Sequence, residues 1–231
     1  MAPLALAAWA CGCGQKESAP QRSQTAASGP AASTAAGSTP APAAAPADPR
    51  PVIACFGDSL TAGFGLEPGQ SFPDLLQAEL DRRGYHYRVA NLGISGDTTQ
   101  DGLARVSMAL AERPAIVVLE LGANDGLRGQ PVANAESNLA QMIEAFQKSG
   151  ATVVLAGITL PPNYGPEYIR SFDAMYPELA RRYKLKRIPF LLEGVGGHGD
   201  LMQQDGLHPN ARGARIVEAT VFRALEPLLR R

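Results

Sequence analysis

A serine, an aspartate–histidine pair and two turn segments hold the reactive side chains of this sequence. Ser59 follows the apolar run Val52-Ile53-Ala54-Cys55-Phe56, with only Gly57 and Asp58 between. Asp205 and His208 are three residues apart, a spacing that lets them face one another across a single turn, and Pro209 stiffens the exit from that loop. A serine hydroxyl by itself is a poor nucleophile. A histidine that takes its proton and later hands it to a leaving group makes it effective. A carboxylate on the other ring nitrogen fixes the tautomer and stabilises the transient cation. Gly93 and Asn124 stand in two further turn segments, Gly93-Ile94-Ser95-Gly96-Asp97 and Gly122-Ala123-Asn124-Asp125-Gly126, which can supply donors to a developing oxyanion. Taken singly, each has a plainer use. Asp58 or Ser59 can cap a helix, Gly93 can turn a strand end, Asn124-Asp125-Gly126 is a good turn, and Asp205 and His208 can be surface loop residues.

What matters is whether the fold collects them. Strand and helix signals alternate from residue 51 onward. The pattern predicts strands over 52–56, 87–92, 115–121, 152–158 and 188–192. Helices are predicted over about 71–83, from Thr98 or Thr99 to about 110, and over 132–148, 167–183 and 211–229. Apolar strands separated by helices imply an α/β fold: a three-layer α/β/α sandwich around a five-stranded parallel sheet, with right-handed crossovers and a flavodoxin-like strand order. The loops after parallel strands all open on one edge, where such sheets bind ligands. Ser59 follows the first strand, Gly93 the second and Asn124 the third, while Asp205 and His208 lie in the long loop before the last helix.

In that order, Gly57-Asp58-Ser59-Leu60, Asn91-Leu92-Gly93-Ile94-Ser95-Gly96-Asp97, Gly122-Ala123-Asn124-Asp125 and Asp205-Gly206-Leu207-His208-Pro209 resemble the four blocks of the GDSL/SGNH hydrolase superfamily, across residues 52 to 229. The segments 124–129 and 160–165 resemble more closely the bacterial acyl-CoA thioesterase I, lysophospholipase and arylesterase subfamily. The resemblance implies hydrolysis of carboxylic esters or thioesters through an acyl-serine intermediate. Ser59 would be the nucleophile, with Asp205 and His208 completing the triad. The oxyanion hole would comprise the backbone N–H groups of Ser59 and Gly93 and the side-chain amide of Asn124. Ala123 stands where subfamily members often carry glycine, next to the hole rather than in it. The resemblance further implies that residues 125–130, including Asp125, Gly126 and Leu127, form a mobile loop over an acyl-binding cleft. Asn163 and Tyr164 are candidates either for cleft lining or for loop packing.

No cofactor is expected, and no cluster has metal-ligand spacing. His86 and His198 lack an assigned partner and are read as non-catalytic, Asp58 is read as a cap beside the nucleophile, and Cys55 as a small buried hydrophobe. Because His208 must be neutral to act as a base, activity is expected to fall as its imidazole takes up a proton. Two rivals share parts of this pattern: a polysaccharide O-deacetylase with the same triad, and a tethered binding module on a degenerate hydrolase fold. A flavodoxin-like cofactor binder lacks its phosphate-binding run of Ser/Thr after the first strand.

The 231 residues carry a formal net charge of −1 and no basic block, so nucleic-acid binding has no electrostatic support. Residues 51–231 suffice for one α/β domain, expected to be a monomer. Residues 15–50 are almost entirely Ala, Pro, Ser, Thr, Gly and Gln, the composition of a disordered tether. Within residues 1–14, the apolar stretch Leu4 to Ala10 and the following Cys11-Gly12-Cys13-Gly14 resemble a bacterial lipoprotein signal, with Cys11 or Cys13 as the lipid acceptor. An exported, periplasmic enzyme is expected, either attached to the membrane through that lipid or released by ordinary secretion with removal of the segment, and no stretch of ~20 apolar residues is present to span a bilayer.

Overall fold

The computed structural model describes residues 48–231. The expectations for residues 1–14, including Cys11 and Cys13, and for all but the last three residues of the 15–50 segment fall outside them.

The apolar run before the serine forms β1 (Val52–Gly57), buried along its whole length. That double-sided burial is why it reads as a continuous apolar run and not an alternation. With β2 (Arg88–Gly93), β3 (Pro114–Glu120), β4 (Thr152–Ala156) and β5 (Lys186–Ile188) it makes an all-parallel sheet in the order β2-β1-β3-β4-β5. This is the flavodoxin-like order. Its direction reverses between β1 and β3, which opens a crevice beyond their carboxyl ends. Gly57 at the end of β1 is in register with Gly93 on one side and Glu120 on the other. Three strands therefore stop on one line, and the residues just past them start from neighbouring positions.

A four-residue helix, α1 (Ser59–Ala62), follows β1, and α2 (Phe72–Arg82) completes the crossover to β2. The chain then returns across β1 to β3, in the opposite direction, so right-handed connections place the next helices on the opposite face. Those are α3 (Thr99–Ala104), α4 (Val106–Ala111), α5 (Ala123–Leu127), α6 (Val132–Lys148) and α7 (Pro166–Tyr183), with α3 and α7 packed on α6. The last helix, α8 (Ala211–Leu225), packs on α2. Phe56, Leu119 and Leu155 from the sheet, Leu76 and Leu80 from α2, and Phe146 and Tyr176 from α6 and α7 are fully buried between these layers.

Apart from shifts of one or two residues, such as β4 ending at Ala156 instead of 158, four boundaries depart from the sequence pattern. The single helix expected from residue 98 to 110 is two short ones meeting at Arg105, whose backbone (φ −109°, ψ 11°) is not helical. Thr98 is the cap: its hydroxyl accepts from Asp101 N–H and the Asp101 carboxylate accepts from Thr98 N–H. The fifth strand ends at Ile188 instead of running to 192: past it Gly157 O accepts from Leu191 N–H at 2.8 Å, one residue out of the ladder's register. The turn expected at 122–126 winds into α5 directly after Gly122. The closing helix stops at Leu225, two residues before Pro227.

Candidate active site

Ser59 is the first residue of α1, with Asp58 as its N-cap: the Asp58 carboxylate accepts from Leu60 N–H at 3.0 Å. This turn lifts the serine side chain above the sheet edge. On the far side of the crevice an isolated antiparallel bridge between Met202 and Pro209 closes the loop that carries Asp205 and His208. Gln203 locks the loop further, donating its N–H to His208 O at 2.7 Å and its side-chain amide to Phe64 O at 2.7 Å and Pro209 O at 2.9 Å. These ties place His208 Nε2 2.8 Å from Ser59 Oγ and His208 Nδ1 2.6 Å from Asp205 Oδ2. With Asp205 accepting, Nδ1 carries the proton and Nε2 is free to take one from the serine. The second Asp205 oxygen accepts from Leu207 N–H at 2.9 Å and His208 N–H at 3.0 Å. Partial desolvation pushes the Asp205 carboxyl up, but the His208 ring and the two backbone donors outweigh it and hold it at about 2. The half-exposed Phe64 ring lies over the imidazole, with centroids 4.7 Å apart.

The three groups expected as oxyanion donors lie around the Ser59 turn. The Ser59 N–H, first in its helix, has no intrahelical acceptor. Gly93 ends β2 against α1, so tightly that a Cβ there would lie 2.2 Å from Ala62 N. Its N–H donates to Asn91 Oδ1 at 3.0 Å. Asn124, in the first turn of α5, donates its side-chain amide to Asp97 O at 2.9 Å and Asp58 Oδ2 at 3.2 Å. Asp58 thus does more than cap a helix: its second oxygen ties Asn124 to the Ser59 turn.

Beneath that turn lies a carboxyl the sequence pattern does not flag. Glu120, at the end of β3, is 1 % exposed. Its Oε2 accepts from Thr61 Oγ1–H at 2.8 Å and Asp58 N–H at 3.2 Å, and among the described residues Oε1 has no partner. Burial, and then the charge on Asp58, push Glu120 well above the ordinary carboxylate range, so its neutral form is favoured. Burial also raises Asp58, to about 6, against the pull of the Leu60 N–H.

The site opens on a cleft of about 560 Å³ walled by Leu127, Ile158, Leu160, Phe190, Leu192 and Met202. Only part of the expected acyl loop reaches it. In α5, Asn124 and Leu127 share the cleft-facing side at helical spacing, while Asp125 points the other way. Asp125 is 2 % exposed, and its carboxylate accepts from the Thr99 N–H at 2.8 Å and hydroxyl at 2.6 Å. Gly126 is packed so that a Cβ would meet Leu160 at 2.5 Å. Asp125 and Gly126 are therefore not among the residues that line the cleft, and residues 125–127 belong to a helical turn in its wall instead of a loop laid across it. Asn163 is exposed, and the Tyr164 hydroxyl donates to Leu127 O at 2.9 Å, so neither lines the cleft; Pro161 and Pro162 do. Cys55 is a free, fully buried thiol in β1. Among the described residues no group of His, Cys, Asp and Glu is placed to hold a metal ion.

A family model described as "GDSL-like Lipase/Acylhydrolase family" matches residues 55–216, which include every residue of the relay. The chain belongs to the GDSL-like lipase/acylhydrolase family. It is 50% identical over 175 residues to an esterase, TesA, of Pseudomonas aeruginosa, covering 75% of this chain and 87% of that protein. To an arylesterase of Vibrio mimicus it is 45% identical over 158 residues, 68% of this chain and 79% of that one. A crystal structure of TesA superposes with a TM-score of 0.75 at 47% identity, covering 77% of this chain and 99% of that chain. As a family member the protein is an SGNH-type hydrolase of esters, built on the three-layer α/β/α fold that its sheet order displays. The supports that sequence reasoning did not single out are Asn91, Asp97, Arg105, Glu120 and Phe64. Asp97 and Asn91 lie inside a quoted block, whereas nothing local marks Arg105, Glu120 or Phe64.

Proposed function

We propose that the protein hydrolyses carboxylic esters and thioesters with acyl chains longer than acetyl, using Ser59 as nucleophile, His208 as general base and acid, and Asp205 as the orienting carboxylate. The carrying observation is the hydrogen-bonded series Ser59–His208–Asp205, at 2.8 and 2.6 Å, opening on an apolar cleft of about 560 Å³. Ser59 Oγ attacks the carbonyl carbon while its proton passes to His208 Nε2, and the carbonyl electrons move onto oxygen. The Ser59 and Gly93 N–H groups and the Asn124 amide receive that oxyanion. Asn91 Oδ1 and Asp97 O, both neutral acceptors, yield to or share with the charged oxygen, which makes the stronger bond. His208 then protonates the leaving alkoxide or thiolate as its bond to the acyl carbon breaks. Water, deprotonated by His208, releases the acid from Ser59 by the reverse sequence.

Away from Asp58, Ser59 and His208 the cleft is walled mostly by apolar side chains, which suits an alkyl or aryl group, so aryl esters, lysophospholipids and acyl thioesters are the substrate classes that fit. We propose also that the enzyme is exported to the periplasm, with residues 1–14 as a signal segment lipidated at Cys11 or Cys13 and residues 15–50 as tether to the 51–231 domain. Among the described residues no helix is long and apolar enough to cross a membrane. The test compares the full chain with Ser59→Ala on p-nitrophenyl esters from acetyl to palmitoyl. Turnover should fall by at least about 10³-fold in the variant, and wild-type kcat/KM should peak beyond acetyl. A preference for acetyl alone would move the assignment to a deacetylase. A folded wild type inert on every ester would leave a binding module.

A further inference from the structure

Arg105 stands at the break between α3 and α4, and its side chain is spent entirely on the sheet edge. Nη1–H donates to Leu92 O at 2.8 Å and Nη2–H to Gly57 O at 2.8 Å, while Nε–H pairs with the Asp97 carboxylate. The guanidinium lies over the Phe56 ring, 4.1 Å from its centroid, and the Arg105 and Asp97 side chains are each only 12% exposed. The contacts fall on the three segments next to the oxyanion donors. Leu92 C=O and Gly93 N–H belong to one planar peptide unit, so fixing the carbonyl fixes the direction of that N–H. Gly57 C=O belongs to the unit immediately before the one bearing Ser59 N–H. Asp97, held by its carboxylate, presents the carbonyl that accepts from the Asn124 amide.

We propose that Arg105 is the positioning residue of the oxyanion hole: one rigid guanidinium sets the relative placement of all three donors, which come from three separate strand ends. The inference rests on the assignment of those donors given above. A planar fork with fixed donor directions can bridge the ends of β1 and β2 and still bind Asp97; an ammonium group, whose three donors sit on one nitrogen, cannot span all three acceptors. Misplacing catalytic donors by about 1 Å costs on the order of 10²-fold in rate, and the loss appears in kcat because the donors matter most when charge develops.

The test is steady-state kinetics of the full chain with Arg105→Lys and Arg105→Ala on the best p-nitrophenyl ester, with Ser59→Ala alongside. Arg105→Lys should lower kcat about 10- to 100-fold with KM within about twofold, and millimolar guanidinium should restore part of the kcat of Arg105→Ala. A folded Arg105→Lys with wild-type kcat overturns the proposal. So does an equal loss in kcat and gain in KM with no guanidinium rescue, the signature of general loosening. If Arg105→Lys does not fold, Asp97→Asn decides, since it keeps the carbonyl and the shape but weakens the anchor. A kcat several-fold lower at unchanged KM supports the proposal; wild-type kcat overturns it. Ser59→Ala separates the two layers: an active Ser59→Ala defeats the site assignment itself, whereas an inactive Ser59→Ala beside a fully active Arg105→Lys defeats only this inference.

Discussion

Asp205 and Glu120 carry the same functional group at the same edge of one sheet, and their surroundings set them to opposite charge states. Asp205 sits in an open loop, accepts three hydrogen bonds and is held at about 2. Glu120 is enclosed beneath α1, keeps one oxygen without a partner and is pushed well above its ordinary value. Donors to a carboxylate favour its charge, and burial without enough of them favours the proton. The exposed acid stays ionised beside His208, which the proposed mechanism turns into a cation. The buried one supports the Ser59 turn without adding a second negative charge next to Asp58.

Replacing Asp205 tests the first half of that contrast and should have the largest effect. Asp205→Asn keeps the shape but supplies an N–H₂ where His208 Nδ1–H needs an acceptor, so the tautomer is lost. The expected fall in kcat is about 10³- to 10⁴-fold, read from ester turnover above neutral pH. The same variant should lose part of the acid-side stability slope. A carboxylate held low stabilises the fold above the ordinary carboxylate range, and that contribution disappears as pH falls toward about 2. Melting temperature between pH 5 and pH 2.5 should therefore fall less steeply in Asp205→Asn than in wild type.

Asp58, poised between the two regimes, should show an intermediate effect. Asp58→Ala removes both the helix cap and the acceptor for Asn124. Stability should drop by about 1 kcal/mol from the lost cap and kcat by about tenfold from a freed Asn124. Chemical denaturation and kinetics read the two separately, and an unchanged kcat would mean that Asp97 alone holds the amide. The smallest effect is expected of Glu120→Gln, which keeps an acceptor for Thr61 and Asp58 N–H and imitates the neutral acid. A carboxyl whose value is raised on folding stabilises below its unfolded value and loses that contribution as pH rises through the folded one. Glu120→Gln should thus match wild type near pH 4 and exceed it in melting temperature near pH 8. A variant much less stable at both would show that Glu120 is charged in the fold, and the contrast with Asp205 would collapse.

The two regions also differ in how far they could be read beforehand. Ser59 announces itself by following a strand end, and Asp205 and His208 by meeting within a single turn, although the Ser59–His208 contact joins positions 149 apart. Glu120 looks like the last residue of a buried strand, and its partners Thr61 and Asp58 are roughly sixty positions away. Arg105 looks like one basic residue on an amphipathic helix, and the expected helix ran straight through it. The break there accompanies the capture of its guanidinium by carbonyls of β1 and β2. Asp125 was placed on the cleft by its position in a block, but one residue along a helix is a rotation of ~100°, enough to turn it to Thr99.

By itself the sequence determined the sheet, its parallel sense and the line of strand ends carrying the site. Apolar runs of strand length separated by helical periods admit few other arrangements, and right-handed crossovers remove most of those. It also determined which side chains can exchange a proton with a serine. The tertiary structure alone decided the rest: which face of α5 meets the cleft, which carboxyl keeps its proton, and which cation holds the strand ends together. Each depends on distances between segments far apart in the chain, and on whether a polar group that leaves water finds donors where it arrives.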